Sequence, residues 1–217
     1  MEPYGWILLI ITVILILFSI IRRIFPKYLS LLISNFSSCY EASRNYKLKN
    51  TSYLTSSILL WSIFFLNIGL LSFFSIQHFL PFTLNYPSIV YILLFSGIFF
   101  LGYIAKLIVY YLIGVLVHET NITKEYIFSW NTISKVVGLG LSISTFTIGF
   151  INNDYRKILI IIGISLYLLG YLYRLYRGLC IIRPKKFFYL YILLYFCTVE
   201  LIPIIVLLFS MNKLLLV

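Results

Sequence analysis

The chain has 217 residues, of which 62% are apolar, 19% aromatic and 11% charged, and its formal net charge is +11. Soluble domains carry about 25% charged residues, so this composition, with a mean hydropathy of +1.03, excludes a soluble globular protein. A surplus of Lys and Arg in so apolar a chain bears on membrane orientation before nucleic acid, for which no binding motif is present.

A helix needs about 20 apolar residues to cross about 30 Å of hydrocarbon at 1.5 Å per residue. Runs of this kind cover residues 4–21, 54–76, 89–117, 136–151, 158–172 and 187–211. The sequence therefore predicts an all-α polytopic protein, a bundle of six transmembrane helices that makes residues 1–217 one integral membrane domain. After the first run, Pro26 predicts a break. Beyond it Leu29, Leu32, Ile33 and Phe36 recur at helical spacing, with Lys27, Ser30, Ser34 and Ser37 between them. This pattern predicts an amphipathic helix in the interface, acting either as a connector that covers the bundle or as a docking surface.

The connection from Gln77 to Ser88 carries no formal charge and contains Pro81 and Pro87, which predicts a turn. The fourth and fifth runs are short and separated only by residues 152–157, as in a tight helical hairpin or a single re-entrant pair. In the fourth run, Gly138 and Ser142, and Gly140 and Ser144, stand at the small-x-x-x-small spacing that lets two helix backbones approach closely. Tyr4, Trp6, Tyr53, Tyr86, Trp130 and Tyr189 lie near run ends, as rings anchored at a wet interface do.

Cytoplasmic loops retain Lys and Arg, and the distribution here is lopsided. Arg22, Arg23, Lys27, Arg44, Lys47 and Lys49 follow the first run, Lys124 and Lys135 follow the third, and Arg174, Arg177, Arg183, Lys185 and Lys186 follow the fifth. The opposite side carries only Arg156, Lys157 and Lys213. With six crossings, both termini fall on the outer side, and the acidic start Met1-Glu2-Pro3 lacks the positive region of a cleaved signal. The basic stretch from Arg174 to Lys186 forms a cytoplasmic surface. Topology alone would produce it, and it would also hold anionic lipid headgroups or an acidic partner.

Two ionisable residues interrupt the apolar runs, Lys106 and Glu200. A charge at the bilayer centre costs about 2.5–3.5 kcal/mol on insertion scales and ordinarily faces a partner or a wet cavity. Counted from the inner run ends, Glu200 lies about 20 Å deep and Lys106 about 16 Å, within reach of a flexible Lys stem. The first reading is therefore an ion pair that fixes the third helix against the sixth. The second is a protonatable Glu200 in a transport path, with Pro203 breaking the helix one turn beyond.

Cys39, Cys180 and Cys197 form no Cys-x-x-Cys pair, and His118 and Glu119 have no second ligand at helical spacing, so neither a metal site nor a cofactor is expected. No nucleophile elbow, zinc-protease helix or phosphate loop is present, which argues against an enzyme.

One resemblance can be stated on particular residues. Lys106, the stretch Glu125-Tyr126-Ile127-Phe128 with Asn131, the entry Lys135-Val136-Val137-Gly138-Leu139, the stretch Tyr173-Arg174-Leu175-Tyr176-Arg177-Gly178, and the closing run from Phe188 to Pro203 resemble an uncharacterised multi-pass inner-membrane family of Bacteroidota, described as a domain of unknown function. The resemblance implies a bacterial inner (cytoplasmic) membrane and carries no activity, substrate or cofactor. The segment Leu141-Ser142-Ile143-Ser144 departs from the more apolar stretch that family leads one to expect. The leading expectation is a non-enzymatic membrane subunit that anchors or assembles a larger envelope complex, with the bilayer and a membrane protein as its partners. The alternative is a small transporter or channel using Glu200.

Overall fold

The computed structural model describes residues 4–38, 42, 44, 54–79, 87–116, 118, 120–151 and 153–182. Apart from short connections these form six helices: α1 (Tyr4–Ile24), α2 (Pro26–Ser37), α3 (Leu54–Phe79), α4 (Ser88–Leu116), α5 (Thr120–Phe150) and α6 (Asn153–Ile182).

Proline lacks the N–H that would continue α1, and its ring crowds the carbonyl of the preceding turn, so the chain breaks at Phe25. There φ is −127° and ψ is 54°, and α2 leaves at 99° to α1 with Pro26 as its first residue. The inward stripe of α2 is Tyr28, Leu32 and Asn35, with Phe36 half-buried, while Ile33 points outward. The amphipathic helix is thus present, rotated from the face that its apolar residues alone suggest, because Asn35 and the Tyr28 hydroxyl find partners inside.

Helix α3 is the hub, packed against α1, α4, α5 and α6. From Leu60 to Phe74 every residue is buried or half-buried, which suits a helix that is apolar on almost all faces. Helix α4 is the opposite case. It touches the bundle through Ser88, Ile92, Ser96, Tyr110 and Gly114 and leaves Leu93, Leu94, Ile98, Leu101, Ile108 and Leu112 outside.

The fourth and fifth apolar runs are parts of longer helices. The run 136–151 is the second half of the 31-residue α5, and 158–172 the middle of the 30-residue α6. Each helix is continuous and long and apolar enough to cross a membrane alone, and Arg174 and Arg177 lie within α6 rather than in a loop. Hydropathy places the start of α5 too late because the polar side chains of Thr120 to Lys135 lower the average without breaking the helix. Many of them, including Ser129, Thr132, Ser134 and Lys135, are turned inward.

Helices α3, α4, α5 and α6 are each long and apolar enough to cross a membrane, and α1 with α2 would add a fifth, bent crossing. The run 187–211 lies outside the described residues.

Candidate functional site

Two polar layers interrupt the apolar interior. The first joins α3 and α5 near mid-helix. Asn67 donates through Nδ2 to Ile63 O at 2.8 Å and Ser142 Oγ at 2.8 Å, with Gly138 O at 3.4 Å, and its Oδ1 accepts from Thr145 Oγ1 at 2.6 Å. The contacts to Gly138, Ser142 and Thr145 cross a seam that Gly138 keeps narrow, since a Cβ there would stand 2.9 Å from both Cα and Cβ of Phe64. Gly140 faces α6, where a Cβ would lie 3.2 Å from Leu166 Cδ2, and Ser144, one turn further on, is buried. Gly138 and Gly140 of α5 thus each face a neighbouring helix of the same chain.

The second layer lies at the end of the bundle where α1 ends, α3 and α5 begin and α4 and α6 end. Its cations are inside. Lys135 of α5 donates to Ser57 Oγ at 2.6 Å and to the Tyr28 hydroxyl at 3.3 Å, and its Nζ lies 6.0 Å from the Trp61 ring centroid. Burial pushes the Tyr28 phenol above its ordinary pKa, partly offset by its hydrogen bond with Ser57. Across the layer, Arg174 stacks over Trp130 with Cζ 4.1 Å from the ring centroid. It also donates to the hydroxyls of Tyr126 and Tyr110, each at 3.3 Å. Tyr103 extends the aromatic wall, 4.9 Å from Trp130 and 4.2 Å from Trp61, and donates to Asn131 Oδ1 at 2.9 Å.

Arg177, one turn after Arg174, is 1% exposed. Its Nη2 donates to Ser38 O at 2.7 Å, while Nε and Nη1 are buried without a hydrogen-bond partner. Beside it, the Tyr173 hydroxyl donates to Phe36 O at 2.6 Å and the two rings meet at 4.9 Å, tilted by 43°. These two bonds tie the C-terminal end of α2 to α6.

The basic surface read from the sequence is therefore divided. Arg174 and Arg177 are interior residues because flat guanidinium groups pack against aromatic faces with less desolvation cost than an ammonium. Arg183, Lys185 and Lys186 lie outside the described residues, as do Glu200 and Pro203. Lys106 is half-buried on α4. Trp130 is 5% exposed and holds Arg174 in the interior instead of anchoring at a wet interface. The side chains of Tyr4 and Trp6, together with Tyr53, Tyr86 and Tyr189, lie outside the described residues. His118 is exposed in a turn with φ of 58° between α4 and α5, and Glu119 lies outside the description. Cys180 is a free, half-buried thiol, and Cys39 and Cys197 lie outside the described residues. Among the described residues no group of His, Cys, Asp and Glu could hold a metal ion.

Sequence reasoning misses Asn67, Tyr110, Tyr126 and Trp130 as parts of polar layers. An Asn in an apolar run is a usable signal, as is the i, i+3 spacing of Arg174 and Arg177. The pairing of Arg174 with Trp130 has no local signal.

The profile of the family described as "Domain of unknown function (DUF4271)" matches residues 7–210. The chain belongs to that family. No characterised protein and no solved structure gives a significant match.

Proposed function

We propose that this member of the DUF4271 family is a non-enzymatic, six-span subunit of a bacterial inner membrane, of the kind found in Bacteroidota, that anchors or assembles a larger envelope complex. The observation that carries this reading is α4. A 29-residue apolar helix that turns only Ser88, Ile92, Ser96, Tyr110 and Gly114 fully inward offers a broad face to lipid or to another membrane helix. Its surroundings agree with such a role, because α3 and α5 are joined by short-range packing and hydrogen bonds that make a firm core for the exposed helix.

The orientation belongs to the same reading. Arg22, Arg23, Lys27 and Lys124 are exposed at the end that also carries Arg174 and Arg177, which supports placing that end in the cytoplasm and both termini in the periplasm. A cysteine probe at position 85 is then labelled from outside, and one at position 45 only after permeabilisation. The reverse pattern overturns the orientation. Within the bundle, Lys106 on α4 pairs with Glu200 on the sixth span, so joint replacement by Met and Gln is better tolerated than either change alone. Equal loss in all three variants removes the pair.

Purification of the tagged protein at native expression level in mild detergent, followed by mass spectrometry of what stays bound, tests the function. A stoichiometric membrane-protein partner is the expected result. Recovery of the chain alone overturns the subunit reading and makes Glu200→Gln in a proton-coupled transport assay the next experiment.

A further inference from the structure

Arg177 poses a problem that the described protein does not solve. A guanidinium keeps its charge at any physiological pH, so burial cannot be relieved by giving up a proton. Its Nη2 is used on Ser38 O, and among the described residues nothing accepts from Nε or Nη1. One turn away Arg174 is 7% exposed and receives stacking from Trp130 and hydroxyl contacts from Tyr110 and Tyr126. Those contacts lower the cost of burying Arg174, whereas Arg177 has one carbonyl and the Tyr173 ring at 5.9 Å.

We infer that Arg177 forms the floor of a binding site for a phosphate group at this end of the bundle. Depth favours phosphate over other oxyanions. Arg177 stands four residues, about 6 Å of helix rise, from the end of the apolar stretch Tyr155–Ile181. That is the level at which lipid phosphates concentrate beside an apolar helix face, and Tyr176 and Leu179 present such a face next to Arg177. Exposed Arg22, Arg23 and Lys27 at the same end add long-range attraction for an anion. The end of α2 is the cover. It is tied down through Tyr173 to Phe36 and through Arg177 to Ser38, so raising it exposes the free Nε and Nη1 and releases Nη2 as a further donor. The site stands whether or not a partner subunit binds elsewhere.

The test uses the full-length protein, stripped of lipid in detergent, and native mass spectrometry with three probes: phosphatidylglycerol, diacylglycerol with the same chains, and inorganic phosphate. Wild type is expected to retain phosphatidylglycerol over diacylglycerol, and Arg177→Lys to weaken that retention about tenfold, the equivalent of roughly 1.4 kcal/mol. Protection from thermal unfolding by inorganic phosphate, with no preference between the two lipids, supports the site with free phosphate as its occupant. If wild type binds neither phosphate source better than diacylglycerol, the proposal is overturned, and this arm does not require any variant to fold. It is equally overturned if Arg177→Lys binds as wild type does, or if Glu200→Gln and Arg177→Lys are non-additive in stability while neither phosphate source binds, because the counter-charge is then internal.

Discussion

The middle of the bundle and its basic end are both polar interruptions of an apolar interior, and they are resolved in different ways. Around Asn67 each strong donor or acceptor meets another from α3 or α5, over distances of 2.6 to 3.4 Å, and the layer is neutral. At the other layer Arg177 is buried with one bond to a carbonyl, and two of its nitrogens have no hydrogen-bond partner. Neutral groups can be closed by a few neighbours at small cost, whereas a buried charge needs an opposite charge or a ligand to offset its desolvation. The middle layer therefore belongs to folding, and the end layer is the place to look for function.

Substitutions in the middle should act on stability alone, and the largest effect is expected where backbone meets backbone. Gly138→Val drives carbon into Phe64 Cα and Cβ, neither of which can swing away. It should cost about 3 kcal/mol and strongly reduce the monodisperse peak in fluorescence-detected size exclusion. A normal peak with an unchanged melting temperature would mean that the α3–α5 seam is looser than described.

At the basic end, Trp130→Leu removes the ring beneath Arg174 and should destabilise by about 2 kcal/mol. It should also make a thermal melt more sensitive to added anions, because Arg174 loses its stacking partner. A melt that shifts without any new anion dependence would reduce Trp130 to packing. Asn67→Leu is the milder middle-layer change. Ser142 and Thr145 retain bonds to Gly138 O and Leu141 O of their own helix, so about 1 kcal/mol is expected in a detergent melt. A loss as large as that of Gly138→Val would show that hydrogen bonding, and not close packing, holds the seam. Smallest is Tyr103→Phe, which loses one bond to Asn131 and keeps the ring contact with Trp61, for about 0.6 kcal/mol.

The contrast between the layers also explains what could be read from the sequence. Apolar runs of helical length disclose the all-α class, α3 and α4 almost whole, and the break at Pro26, because each follows from local chemistry. Gly138 and Ser142 are legible as a close contact for the same reason, although their partner Phe64 is not, lying 74 residues before Gly138. The early half of α5 was illegible because hydropathy counts Ser129, Thr132, Ser134 and Lys135 as surface residues, and their neighbours in the bundle make them interior. Arg174 and Arg177 misled in the same way. Charge reads as loop until a ring from a helix more than 40 residues away is seen to lie against it, and no periodicity announces that pairing.

The central claim is that the middle layer is complete in itself and the end layer is not. Its most direct test compares the unfolding temperature of lipid-stripped wild type, Asn67→Leu and Arg177→Lys with and without added phosphatidylglycerol. The account predicts that wild type and Asn67→Leu gain the same increment from the lipid, although Asn67→Leu starts lower, and that Arg177→Lys gains much less. An increment in Arg177→Lys equal to that of wild type would contradict it.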